Sequence, residues 1–207
     1  MKIPAIDDLR LDGGVLCLDY VNTVPDRKDG SGRDLVKSFG ELLYWARKAK
    51  VIDSPAYTAL EREAAERPKS AKEFFTQAIQ LRTLIYDLFF PLSQQQRVSQ
   101  TNLDAFNKVM ARYTPHLVIA LKSGEFSQQW AFDTSQFLRI TAPIMKSAQD
   151  LLLSGKPERI KECPRCGWLF VDTSKNGKRR WCSMEDCGSN AKALQYYYRK
   201  KEERSEE

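Results

Sequence analysis

The 207-residue sequence predicts an α+β protein in two parts: a mainly helical N-terminal domain carrying one β-hairpin, then a small module built on clustered cysteines. Three observations carry that reading. Apolar residues recur at i, i+3, i+4 and i+7 through much of residues 35–153, the spacing of amphipathic helices. The pattern turns β-rich between 116 and 132. Four of the five cysteines then fall within 25 residues, in Cys163-Pro164-Arg165-Cys166 and Cys182-Ser183-Met184-Glu185-Asp186-Cys187.

Residues 1–14 read as an irregular lead-in ending at Gly13-Gly14. Residues 15–24 are apolar on nearly every side, which marks them as buried and leaves strand and short helix both open. Cys17 in this run is a core residue. Asp19 and Asn22 are polar groups that need partners if buried. They either anchor a loop or, with Arg82, line a pocket for a small effector. Residues 25–34 form a polar loop whose glycines match no phosphate-binding fingerprint.

Helices follow. Residues 38–50 form the first, with Ser38 and Glu41 as a capping box. Asp53-Ser54-Pro55 starts the second, which ends near Glu66, before Pro68. The third covers about 70–90, with Phe74, Ala78, Leu81, Ile85 and Leu88 in its buried stripe and Pro91 as its stop. Arg82 lies beside that stripe, placed to pair with a carboxylate such as Asp19. Asn102 caps a fourth helix through Tyr113. Residues 116–132 form the hairpin, turning at Ser123-Gly124-Glu125; His116, the single histidine, opens it in a structural or exposed place. Asp133-Thr134 caps a last long helix through Leu153, which Pro143 should kink or split. Gly155-Lys156-Pro157 ends it. The domain boundary therefore falls between 1–155 and 156–207.

The cysteine spacing is C-x2-C, fifteen residues, then C-x4-C. Each pair can set two sulfurs on one ion, and the loop between them folds the second pair back to complete a tetrahedron, as a four-thiolate zinc site requires. Disulfides, or redox cycling between Cys163 and Cys166, are the alternatives; the redox reading leaves the second pair unexplained. Four protein ligands close the zinc shell, so a single zinc here is structural. Around it the sequence places a knuckle at Pro164 and Gly167, a strand at 168–172, an Asn176-Gly177 turn, a return strand at 178–181 delivering Cys182, and a helix over about 191–203. A knuckle, a hairpin and a helix around one ion make a treble-clef-like zinc finger. About fifty residues bury too little surface alone, so metal binding is part of the module's folding free energy.

The formal net charge is +6. From Lys156 onward there are 13 Lys and Arg against 9 Asp and Glu, so the basic excess concentrates in the finger. Lys175, Lys178, Arg179, Arg180, Lys192, Arg199 and Lys200, with Tyr196, Tyr197 and Tyr198, make a cationic, aromatic surface suited to nucleic-acid phosphates. The competing expectation is a solvated basic face whose tyrosines pack the finger onto the body. No run approaches the roughly 18 apolar residues that span a bilayer. The start of the chain has no signal-peptide pattern, and the cysteines are not spread as a disulfide framework, so the expected compartment is cytoplasmic. One histidine, no paired catalytic motif and no nucleotide fingerprint argue against an enzyme.

Cys163-Pro164-x-Cys166-Gly167-Trp168-Leu169-Phe170-x-Asp172-x-Ser174, Arg180-Trp181-Cys182-Ser183-Met184-x-x-Cys187-Gly188 and Ala191-Lys192-Ala193 resemble the CGNR-type zinc finger. Leu18-Asp19-Tyr20-Val21-Asn22-Thr23 and Leu81-Arg82 are similar to the ABATE domain that accompanies this finger. Together the resemblance covers nearly the whole chain. It implies a bacterial, stress-associated transcriptional regulator that binds DNA through the finger while the N-terminal domain senses a small-molecule effector or mediates assembly, for example as a homodimer. The sequence departs from the family at its namesake point: Cys187-Gly188 is followed by Ser189-Asn190, so the arginine is missing. The zinc ligands are untouched by this change. A DNA contact made by that arginine would be absent, with Arg179, Arg180 and Lys192 left to replace it. A zinc-stabilised protein-interaction module is the alternative function.

Overall fold

The structure is a computed structural model and describes residues 4–24, 34–132 and 136–205. After a short helix α1 (Pro4–Asp7), the undecided apolar run forms a helix, α2 (Leu16–Val21). Gly14, at φ +79°, turns the chain into it, and Asn22 and Thr23 close it. Cys17, Leu18, Tyr20 and Val21 are all buried, because α2 is packed on several sides at once. That explains why no 3.6-residue alternation marks it.

Helix α3 (Phe39–Lys48) starts at Ser38, whose Oγ accepts the Glu41 N–H at 3.2 Å. The Glu41 carboxylate reaches back to the Lys37 N–H at 2.6 Å, so the box closes one residue earlier than expected. Helix α4 (Ser54–Glu66) is capped by Asp53, which accepts from the Ala56 N–H at 2.9 Å. Helix α5 (Pro68–Ser93) runs through Pro91 instead of stopping before it. Pro91 lies in the last turn, where its carbonyl still accepts from the Gln94 and Gln96 N–H groups at 3.0 and 2.9 Å, so the helix closes just beyond it. Helix α6 (Gln100–Tyr113) is capped by Ser99; Asn102 sits inside its first turn and donates to the Asp87 carbonyl at 3.2 Å.

Strands β1 (Leu117–Lys122) and β2 (Glu125–Trp130) pair antiparallel from Leu117 opposite Trp130 to Lys122 opposite Glu125. Ser123 and Gly124 both have positive φ, 52° and 85°, the signature of a type I′ two-residue turn. Helix α7 (Leu138–Leu153) is one unsplit helix with Pro143 inside it. The cap expected at Asp133-Thr134 lies outside the described residues, as does most of the loop at 25–34.

The expected strand at 168–172 is present as β4 (Leu169–Val171), but its partner differs. It pairs antiparallel with β3 (Ile160–Glu162), and residues 178–180 form no strand. The first cysteine pair is therefore the loop of this hairpin. Residues Met184–Gly188 make a wide turn that runs directly into helix α8 (Ser189–Ser205). Among the described residues the chain thus has a mostly helical N-terminal region, two small antiparallel hairpins and a four-cysteine cluster.

Ile160, Trp168, Leu169 and Phe170 share one hydrophobic cluster with the buried faces of α2, α5 and α7. The second hairpin lies against α2 and α5. Its outer strand is also bonded to the N-terminal segment, the Val171 N–H donating to the Gly13 carbonyl at 2.9 Å. No helix among the described residues is long and apolar enough to cross a membrane.

Candidate metal centre and its basic surface

The first pair of cysteines is held by a tight knuckle. The Gly167 N–H donates to the Cys163 carbonyl at 2.9 Å, and the Cys163 N–H donates to the Trp168 carbonyl at 2.8 Å. Gly167 has φ +68°, a conformation that side chains disfavour. The second pair spans the wide turn, which Ser183 caps by accepting the Asp186 N–H at 3.3 Å. A Cβ on Gly188 would lie 3.2 Å from Met184 and Trp181 atoms, so the residue after Cys187 has little room for a side chain.

These two segments bring Cys163, Cys166, Cys182 and Cys187 together, with all four sulfurs within 4.8 Å of one another. The Cys166–Cys182, Cys182–Cys187 and Cys187–Cys166 sulfurs are 3.6 Å apart. Thiolates ~2.3 Å from a tetrahedral zinc stand about 3.8 Å apart, so the cluster already has the dimensions of the coordination shell. The four cysteines are free, and Cys163, Cys182 and Cys187 are buried. Arg165 lies beside Cys187, whose sulfur raises the arginine's own pKa, and its guanidinium supplies positive charge against the thiolates. The cluster can hold one metal ion and suits a single structural zinc.

The loop between the pairs is organised by a residue that the sequence reading quoted only as part of a motif. Asp172, 1% exposed, accepts from the Ser174 N–H (2.9 Å) and Oγ (2.6 Å), the Arg179 N–H (2.9 Å) and Lys161 Nζ (2.7 Å). Burial would raise its pKa, but Lys161, Ser174 and the Arg179 N–H outweigh burial and hold the carboxyl well below the usual carboxylate range. Lys161 also donates to the Gly177 and Arg179 carbonyls at 2.6 and 3.0 Å. The Asp-x-Ser pattern was the available signal, since an aspartate commonly caps the N–H two residues on.

The structure separates the predicted basic residues into different roles. Arg179 turns inward: Nε donates to the Trp181 carbonyl at 2.9 Å, Nη2 donates to the Cys182 carbonyl, and the guanidinium lies 5.0 Å from the Phe170 ring centre. It braces the loop segment that presents Cys182. Arg180 is exposed, 5.0 Å from the Trp181 ring centre, and Lys178 is exposed beside it. Lys175 faces a cavity against α7. Lys192, Arg199 and Lys200 lie on α8, where every residue from 192 to 200 is exposed.

Asp19, Asn22 and Arg82 each meet a partner inside the fold. The Asp19 carboxylate accepts the Gly13 N–H at 2.8 Å. Burial pushes its pKa up to about 6, opposed by that hydrogen bond and reinforced by Asp12. Asn22, 2% exposed, donates to the Leu169 carbonyl at 2.8 Å and accepts the Leu169 N–H at 3.0 Å, satisfying both backbone groups of one β4 residue. Arg82 pairs with Asp34 and not with Asp19, and also donates to Thr23 Oγ1 at 2.8 Å. Cys17 is fully buried, which pushes its thiol up to about 12.

Residues 14–155 match the ABATE family, described as a putative stress-induced transcription regulator, over more than two thirds of the sequence. The chain belongs to the ABATE family. Residues 159–200 match the CGNR zinc finger, following the ABATE region in that order and containing all four clustered cysteines. No curated protein matches the chain. In this ABATE protein the Ser189-Asn190 pair makes internal contacts at the family's namesake position. Ser189 Oγ donates to the Met184 carbonyl at 3.0 Å and Asn190 Nδ2 donates to Asp186 Oδ1 at 2.6 Å. Asp186 in turn pairs with Arg10 of the N-terminal segment at 3.0 Å.

Proposed function

We propose that this ABATE protein is a non-catalytic transcription regulator that binds DNA through the surface of its zinc finger, with residues 1–155 as an effector-sensing or assembly domain and 156–207 as the DNA-binding domain. The observation that carries the reading is the exposed basic face of α8. Lys192, Gln195, Tyr196 and Arg199 fall on one side of the helix, at i, i+3, i+4 and i+7, and border a common groove. Lys200 follows, and Arg180 and Lys178 add charge on the loop that leads to Cys182. Cations on a rigid helix suit phosphate contact, and a helix fits the DNA major groove. The family description supports the regulator half of the reading.

The test is fluorescence anisotropy of the zinc-loaded protein with duplexes selected from a random pool. Binding should weaken with salt, the slope of log K against log salt becoming shallower by about 0.9 for each phosphate contact removed. Lys192→Glu with Arg199→Glu should remove most of the affinity while leaving the zinc content unchanged. Salt-insensitive binding, or full affinity in that variant, overturns the proposal. Arg179 is unsuitable as a test residue because it supports the fold around Cys182.

The exposed Leu194, Tyr196, Tyr197 and Tyr198, each more than half exposed, favour a second reading of α8 as a helix that docks on a protein partner. Retention of a partner that depends on those tyrosines, with no DNA affinity, selects it.

A further inference from the structure

A cavity of about 860 Å³ opens where the ABATE helices, the first hairpin and the finger meet. Its apolar wall comes from all three: Val15 just before α2 and Leu16 of α2, Pro143 and Leu151 of α7, Trp130 of β2 and Val171 of β4. Its polar wall carries Lys146, Lys156, Arg159 and Lys175, with Asp150 and Asp172 as the acidic residues. The charges do not cancel. Lys146 pairs with Asp150 at 2.5 Å, and Asp172 is matched by Lys161 at 2.7 Å. Among the described residues the Arg159 guanidinium donates to the Ser174 and Asp172 carbonyls, at 2.6 and 3.3 Å, and pairs with no carboxylate. Among the described residues, Lys156 and Lys175 pair with no carboxylate. Three uncompensated cations therefore face an apolar wall, with the Thr173 and Ser174 hydroxyls beside them.

We infer that this junction cavity binds one small organic anion with an apolar, preferably aromatic, body. The volume falls within the ~300–1,000 Å³ of small-molecule sites, and such sites combine an apolar lining with a few placed charges. The carboxylate or equivalent anionic group lies toward Lys156, Arg159 and Lys175, and the ring against Trp130, Pro143 and Leu16. The cavity is distinct from the Asp19, Asn22 and Arg82 positions, none of which lines it. A ligand here touches α2, α7 and the 173–175 loop of the finger together, which is where an effector would act on both parts at once. The inference rests on the sensing half of the proposed function and is tested without DNA, so its failure leaves the DNA reading standing and the converse also holds.

The test uses the full, zinc-loaded chain labelled with 5-fluorotryptophan. Its four tryptophans give four fluorine signals, with Trp130 assigned by Trp130→Phe. The probes are 3-phenylpropionate, salicylate and indole-3-acetate, each compared with its neutral amide. At least one acid should move the Trp130 signal saturably with a single-site isotherm, leave the Trp45 signal in place, and bind about tenfold or more tighter than its amide. Lys156→Glu with Lys175→Glu should weaken that acid by about tenfold or more while the amide and the melting temperature stay unchanged. Three results overturn the inference: no saturable shift with any acid below about 10 mM, equal affinity for acid and amide, or equal affinity in the charge-reversed variant.

Discussion

Truncating Asn22 isolates one of the contacts that join the finger to the helices. Its amide satisfies the N–H and the C=O of Leu169 across a separation of 147 residues, in a buried setting. Asn22→Ala leaves both backbone groups without that partner and without access to water. A buried donor or acceptor stranded in this way costs about 1–3 kcal/mol, so the pair should cost roughly 2–6 kcal/mol. Asn22→Asp is the control. It keeps an acceptor for the N–H but turns a carboxylate oxygen toward the Leu169 carbonyl, so it should destabilise at least as much although it removes no volume. Urea unfolding of the zinc-loaded protein measures the cost, and amide exchange at Leu169 locates it. The Val171 to Gly13 bond is untouched, so exchange at Val171 should change less. The reasoning fails if Asn22→Ala costs under about 0.5 kcal/mol, the range of an ordinary surface change, and Leu169 stays protected.

Two other perturbations have worked outcomes. Chelation, or Cys182→Ser, should remove the one zinc measured by elemental analysis and expose the amides of Cys163 and Gly167 to exchange; structural zinc supplies on the order of 10–16 kcal/mol in small fingers, and a metal-free chain with full protection in residues 160–188 would refute the structural assignment. Asp19→Asn keeps an acceptor for the Gly13 N–H while removing a carboxyl whose pKa burial raises to about 6 from 3.8. A raised carboxyl pKa stabilises the fold fully below the unfolded value and loses that contribution as pH climbs through the folded value, so the variant should gain up to about 3 kcal/mol relative to the parent between pH 4 and 7; a pH-independent difference in urea midpoints refutes it.

What could be read from the sequence was local. The cysteine ligands lie in two short clusters, and their spacing alone sets the sulfurs on one ion. Helices α3 to α6 carry their own periodicity, and α3 and α4 their own starts at Ser38 and Asp53. What escaped depends on long-range packing. Helix α2 has no hydrophobic face because it touches α5 and α7 at once, so its periodicity vanished with its solvent side. Asn22 could be read as a polar group in an apolar run that needs a partner, whether as an anchor or in a pocket; its partner, the backbone of a strand remote in sequence, could not be. The return strand at 178–181 was misplaced for a related reason. The Asn-Gly step does make a turn, with Gly177 at φ +60°, but the Arg179 N–H beyond it is taken by Asp172, so no ladder forms.

The same internal demands decide where recognition can occur. A cation count on the finger treats Arg159, Lys161, Arg165, Arg179 and Arg180 alike, yet the first two hold loop carbonyls or Asp172, Arg165 lies against Cys187 and Asp186, and Arg179 holds the carbonyl of Cys182. At the namesake position Asn190 binds Asp186, which is tied to Arg10. That position therefore serves the seat of the finger on the body. Away from the junction cavity, with its Lys156 and Lys175, exposed charge stands on the loop at Lys178 and Arg180 and on α8 at Lys192, Arg199 and Lys200. Arg199 and Lys200 share Glu203, at 3.8 and 3.0 Å, an exposed network of the kind worth little in water. A phosphate can displace such a carboxylate at small cost, whereas recruiting Arg179 would dismantle the loop that carries a zinc ligand. Replacing Arg180 should thus weaken DNA binding with the zinc retained, and replacing Arg179 should lower both together.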